Sequence, residues 1–126
     1  MEKIRAYLQG KQKEMLKLLE QLVNIDSGSY CKDGVTACGD IISEELRTLG
    51  FQTEKIPEEH WGSHVRAERP GQMSKRLLLS AHLDTVCPAG TVAKRPFRID
   101  GNLAYGPGVG DMKGGIVQMI FALKAF

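Results

Sequence analysis

No stretch of the 126-residue chain is apolar for the roughly 18 residues that a membrane span requires, so a transmembrane helix is not expected. The first residues do not read as a secretory leader either. Lys3, Arg5, Lys11 and Lys13 are interleaved with Glu2 and Glu14, and no unbroken apolar run follows them. A cytoplasmic location is the resulting expectation. Blocks of one charge are also missing. The 17 Lys and Arg are spread among 15 Asp and Glu for a net charge of +2, which argues against nucleic acid or an acidic membrane surface as a partner. Cysteine is scarce: Cys31, Cys38 and Cys87 make an odd number, and their spacings fit no common zinc knuckle or redox pair. They are expected to be reduced thiols in or near the core. Internal repeats, low-complexity tracts and linkers are absent, which leaves one globular domain or part of a larger one.

What is present divides into helical and extended patterns. Between Glu14 and Ile25 the apolar Met15, Leu18, Leu19, Leu22 and Val23 recur at three and four, predicting an amphipathic helix that Gly10 weakens toward the N-terminus. Ser27 to Lys32 reads as a polar loop. A second helix is predicted from Val35 to Leu49, with Cys38, Ile41, Ile42, Leu46 and Leu49 on one face and Gly50 placed to cap its end. Extended segments follow at Phe51 to Ile56, His64 to Glu68 and Leu77 to His82, with a turn at Arg69 to Gln72. Apart from Ser80 the third segment is apolar before His82, as expected of a strand buried on both faces. Asp100-Gly101-Asn102, flanked by alternating apolar residues, signals a hairpin within Phe97 to Tyr105. The chain then passes through Gly106-Pro107-Gly108-Val109-Gly110 into Ile116 to Phe126, a helix apolar on most sides and suited to deep burial. Helices leading into strands around one apolar strand indicate an α/β protein.

Three residues stand out chemically. His82 and Asp84 are two apart at the end of the apolar strand, so both side chains leave the same face. An aspartate there can accept from one imidazole nitrogen and aim the other at a metal, or the two can form a plain hydrogen-bonded pair. Asp111 sits between Gly106–Gly110 and Gly114-Gly115, at the mouth of the last helix. It is suited either to being held rigidly between cations or to capping that helix. Lys113 either holds the turn by hydrogen bonds or faces solvent. His60 and His64 have the spacing of a helical metal pair, but Trp61-Gly62-Ser63 between them makes a helix improbable and predicts a loop and a strand start. Arg95 and Arg98 can attract a carboxylate, although surface solvation explains them as well.

Taken together, Leu78-Leu79-Ser80-Ala81-His82-Leu83-Asp84-Thr85-Val86 and Gly108-Val109-Gly110-Asp111-Met112-Lys113-Gly114-Gly115 resemble the two signatures of the two-zinc family of aminoacylase, acetylornithine deacetylase, succinyl-diaminopimelate desuccinylase and glutamate carboxypeptidase. Pro96-Phe97-Arg98, Tyr105-Gly106-Pro107-Gly108 and Leu22-Val23-Asn24-Ile25 are similar to its bacterial glutamate carboxypeptidase branch. The resemblance implies a three-layer αβα catalytic domain with a mostly parallel mixed sheet. It makes His82 a ligand of one zinc, Asp111 a carboxylate bridging two, and Asp84 the catalytic partner that orients His82. It also implies a cis peptide after Asp111. Two zincs about 3.5–4 Å apart would polarise the scissile carbonyl and supply hydroxide at neutral pH.

The family's general base is the first Glu of a Glu-Glu pair beyond the bridging aspartate. Residues 1–126 are therefore expected to be the N-terminal part of the catalytic domain, without that base, the further metal ligands or the smaller lid and dimerisation domain. The implied activity is hydrolysis of an amide bond next to a free carboxylate, carboxypeptidase or dipeptidase in type, on a small peptide substrate. An N-acyl amino-acid deacylase is the alternative, and a non-catalytic binding module or truncated remnant is the alternative of another class. For the 126 residues alone, weak zinc binding, no turnover and self-association through the apolar helix and an open sheet edge are expected.

Overall fold

Two helices, α1 (Glu2–Gly10) and α2 (Gln12–Val23), begin the chain in the computed structural model, which describes residues 2–72 and 74–126. Gly10 ends α1 rather than fraying α2, and α1 buries none of its residues. The predicted stripe of α2 points inward: Leu18, Leu19, Leu22 and Val23 are buried. Complete burial of a side chain such as Leu22 contributes about 1.5–3 kcal/mol.

Helix α3 (Lys32–Thr48) starts three residues earlier than its pattern predicts and buries Cys38, Ile42 and Leu46 against that stripe. Its C-terminus is closed by Gly50 in the left-handed region, φ 80°. The Gly50 amide donates to the Arg47 carbonyl and the Phe51 amide to the Leu46 carbonyl, which is the pairing of a Schellman cap. The chain leaves that cap as β1 (Gln52–Ile56), which pairs antiparallel with β2 (His64–Glu68) and lies against α3.

After a short helix, α4 (Thr91–Lys94), the predicted hairpin forms. Strands β3 (Arg98–Asp100) and β4 (Leu103–Tyr105) pair antiparallel about Gly101-Asn102, with Gly101 at φ 57°. A wide turn, Val109–Lys113, then leads into α5 (Gly114–Lys124). The peptide between Asp111 and Met112 within that turn is cis, as the resemblance implied. Ile116, Val117, Ile120 and Phe121 of α5 are buried, in a core shared with α2 and α3.

Two expectations need correction. Leu77 to His82 is not a buried strand: among the described residues no strand lies beside it, and Leu77 and Leu78 are 82% and 88% exposed. A strand covered on both faces needs neighbours on both edges and layers on both sides. Here only Leu83, just past the segment, packs against the core. Among the described residues, parallel pairing is confined to one bridge, Gly28 with Thr85, and the two sheets are two-stranded and antiparallel. The second correction concerns the apolar last helix, which finds its cover inside the chain. Among the described residues, large exposed apolar side chains include Leu77–Leu79, Val86 and Phe126, and also Tyr30, Trp61, Ile99 and Leu103.

Candidate metal centre

Leu22 to Ser29, the end of α2 and the loop after it, ties together every segment that carries a predicted site residue. The Thr85 amide donates to the Ser27 carbonyl (2.8 Å) and the Ser29 amide to the Thr85 carbonyl (3.1 Å). Gly28 permits this approach, since a Cβ there would stand 2.3 Å from the Cys87 carbonyl oxygen. One Asp26 carboxylate oxygen accepts from the Gly90 amide and the other from the Val92 amide, and the Asn24 side-chain oxygen accepts from the Phe97 amide. Those amide hydrogen bonds, that from Val92 foremost, hold the Asp26 carboxyl below its ordinary pKa.

Lys113 completes the set. It is 1% exposed, and its Nζ donates to the carbonyls of Leu22 (2.7 Å) and Ile25 (3.0 Å). Of the two roles open to it, the structure assigns the one that holds the turn. Burial pushes its ammonium below the usual lysine range, opposed by Cys38, Asp26 and Cys87. Gly108 lets the turn close against Thr85: it has φ 70°, and a Cβ there would meet the Thr85 methyl at 2.3 Å.

His82, Asp84 and Asp111 are thereby brought together. His82 Nδ1 faces the Asp84 carbonyl at 3.0 Å and its carboxylate Oδ1 at 3.2 Å, while Nε2 faces Asp111 Oδ1 at 3.0 Å. With oxygen acceptors at both nitrogens the doubly protonated ring is favoured. Its pKa is raised accordingly, first by the Asp111 hydrogen bond, against the opposing effect of burial. The Ser29 hydroxyl donates to Asp84 Oδ2, and this is the main cause that holds the Asp84 carboxyl below its ordinary value. The three side chains border an open cleft of about 240 Å³ with Thr85, Cys87 and the glycines of the turn. Helix capping is not the role of Asp111, since the residue preceding α5 is Lys113 and no side chain caps that helix.

The donor set fits zinc in part. Two ligands of one tetrahedral ion, at about 2.0–2.1 Å each, stand about 3.3 Å apart, near the observed Nε2–Oδ1 separation. Asp84 occupies the outer position that fixes the tautomer of a ligating histidine. Among the described residues, however, no group of three or more His, Cys, Asp or Glu is placed to hold a metal. A catalytic zinc takes three protein ligands, so His82 and Asp111 by themselves are too few for such a site.

The other candidates lie apart from this cluster. His60 is in a loop and His64 begins β2, both exposed, with His64 beside Glu58 at 3.4 Å. The Arg98 guanidinium is exposed and lies 3.8 Å from the centre of the Tyr105 ring. The three cysteines are free thiols, with Cys38 buried. Asp26 and Ser29 were missed by sequence reasoning, which read Ser27 to Lys32 only as a polar loop, and Asn24 entered it only within the stretch Leu22-Val23-Asn24-Ile25. The available signal was Gly28 set within a run of short hydrogen-bonding side chains, directly after an apolar helix end.

Residues 78–126 match the model of peptidase family M20/M25/M40. The chain is 39% identical over 116 residues to carboxypeptidase G2 of Pseudomonas sp. (strain RS-16), an alignment covering 90% of this chain and 28% of that protein. It is 31% identical over 122 residues to succinyl-diaminopimelate desuccinylase of Coxiella burnetii (strain RSA 493 / Nine Mile phase I), covering 90% of this chain and 30% of that one. The corresponding protein of Alkalilimnicola ehrlichii is 30% identical over 93 residues. The chain thus spans less than a third of the length of these relatives. No helix among the described residues is long and apolar enough to cross a membrane.

Proposed function

Since the chain belongs to peptidase family M20/M25/M40, we propose that it forms the N-terminal part of the catalytic domain of a zinc-dependent hydrolase. The enzyme cleaves an amide bond next to a free carboxylate, in the manner of a carboxypeptidase. The observation that carries this reading is the His82 imidazole held between Asp84 on Nδ1 and Asp111 on Nε2, at the rim of an open cleft. His82 Nε2 and the Asp111 carboxylate are the protein groups that would hold zinc. When bound, zinc would polarise the scissile carbonyl and lower the pKa of an attacking water.

The chain's own residues contribute placement. Asp84 accepts the Nδ1 proton, so that once Nε2 gives up the proton it directs at Asp111 its lone pair would be available to a metal. Lys113 anchors the turn that presents Asp111. The general base and the remaining ligands would come from outside these 126 residues. Further strands beside Leu77 to His82, completing a three-layer sheet, would come from there too. In this reading the exposed leucines at 77–79 are the face those strands cover, and a preparation of the 126 residues alone associates through it.

The test is an assay of the protein in its full natural length, with and without added zinc, on peptides ending in glutamate and on N-acyl amino acids. Zinc-dependent release of the terminal glutamate, faster than deacylation, is the expected result. The reverse ranking would favour the deacylase reading. No zinc-dependent hydrolysis of either class would contradict the proposal and leave a binding module or a remnant. The 126 residues alone should turn over neither.

A further inference from the structure

We infer that Ser29 is a positioning residue for the metal site, acting through Asp84 on His82; the inference rests on the zinc reading above. Ser29 lies far from the two signature stretches in sequence. Its hydroxyl donates to Asp84 Oδ2, and the other oxygen of the same carboxylate faces His82 Nδ1 at 3.2 Å. The result is a four-membered chain of side chains, Ser29 to Asp84 to His82 to Asp111, that crosses the cleft.

The Asp84 side chain is 38% exposed, so burial does not fix its rotamer. Without a second partner its carboxylate can swing into water and release the imidazole, whose Nδ1 would then be held by the Asp84 carbonyl alone. The Ser29 hydroxyl removes that freedom, because its own position is set by backbone. The Ser29 amide donates to the Thr85 carbonyl, the Thr85 amide donates to the Ser27 carbonyl, and Gly28 between them allows the two segments to touch. Upstream, Asp26 binds the Gly90 and Val92 amides, so the segment is held on both sides of the bridge. Outer partners of a ligating histidine of this kind typically account for ten- to a hundredfold in metal affinity.

The experiment uses the protein in its full natural length. Zinc affinity is measured by competition with a chromophoric chelator for the wild type and for Ser29→Ala, Ser29→Thr, Asp84→Ala, the Ser29→Ala/Asp84→Ala double variant and His82→Ala. The thermal midpoint of each zinc-free protein is measured alongside. Asp84→Ala should weaken zinc by about ten- to a hundredfold, and Ser29→Ala by a measurable part of that loss, with the zinc-free midpoint nearly unchanged. Ser29→Thr, which keeps the hydroxyl, should bind within a few-fold of the wild type. In the Asp84→Ala background, removing the hydroxyl should cost nothing more, because its route to the metal is already cut.

Unchanged zinc affinity in Ser29→Ala, while His82→Ala loses binding, would overturn the positioning role and leave the metal site standing. Losses from Ser29→Ala and Asp84→Ala that simply multiply in the double variant would overturn it too. So would a fall in the zinc-free midpoint that Ser29→Thr does not restore. Wild-type zinc affinity in His82→Ala would remove the metal reading itself and this inference with it.

Discussion

Leu22 to Ser29 and Leu77 to Asp84 both end at the candidate metal centre, yet they are held in opposite ways. The first is polar in most of its length, and its carbonyls and side chains accept hydrogen bonds from Lys113, Thr85, Gly90, Val92 and Phe97. The second is mainly apolar, and its leucines at 77–79 are in solvent. What fixes the site within this chain is therefore the hydrogen-bonded loop. The apolar segment is fixed only at its far end, from Leu83 through Asp84 to Thr85. An apolar run is a strong stabiliser only where something covers it, whereas a loop that satisfies buried backbone groups is self-sufficient.

The sharpest way to break this contrast is at Lys113. Lys113→Ala removes two charge-assisted hydrogen bonds, takes the ammonium from the Ile25 carbonyl and from the Leu22 carbonyl, which keeps the Ile25 amide, and opens a cavity, so a loss of about 2–4 kcal/mol in urea unfolding is expected. Lys113→Met, which keeps most of the volume, should recover part of that loss. A loss under about 0.5 kcal/mol in Lys113→Ala would show that the loop does not depend on this anchor.

A smaller effect, with a defined pH signature, is expected at Asp26. Its folded-state pKa lies below the ordinary 3.8, chiefly through the Val92 amide. The stability it contributes is therefore complete above pH about 4 and is lost as pH falls through the depressed value. Asp26→Asn should lower the thermal midpoint at neutral pH and flatten its decline below pH about 4. A variant with an unchanged acid limb would remove Asp26 from the account.

The smallest effect belongs to the apolar segment. Leu78 is almost wholly exposed, so in the 126-residue chain Leu78→Lys should change unfolding by less than about 0.5 kcal/mol. It should shift sedimentation toward the monomer. A loss above about 2 kcal/mol would mean that Leu78 is buried in solution and that the contrast between the two regions is false.

These differences also mark what could be read from the sequence. The buried faces of α2 and α3, the Gly50 cap and the Asp100-Gly101-Asn102 hairpin follow from local periodicity and backbone preference, which the chain carries within a few residues. His82, Asp84 and Asp111 were legible as candidates from residue type and position, which left a plain hydrogen-bonded pair and a helix cap open; their proposed metal roles came from the family resemblance. The exposure of Leu77 and Leu78 was not legible, since apolar composition states what a segment prefers and not whether neighbours are present. The tie at Leu22 to Ser29 was hidden for another reason. Many of its acceptors are backbone carbonyls, of Leu22, Ile25, Ser27 and Thr85, and a carbonyl has no residue type. Asn24, Asp26, Gly28 and Ser29 leave a trace in the sequence, and such residues are common in loops.

In the proposed reading this loop presents His82 Nε2 and the Asp111 carboxylate to one metal ion. The most direct measurement is a crystal of the protein in its full natural length grown with zinc, with anomalous difference density recorded at the zinc edge. The account predicts a peak within about 2.0–2.2 Å of both His82 Nε2 and an Asp111 carboxylate oxygen, with Asp84 still against Nδ1. Zinc bound elsewhere, with His82 Nε2 and Asp111 still hydrogen-bonded to each other, would contradict it.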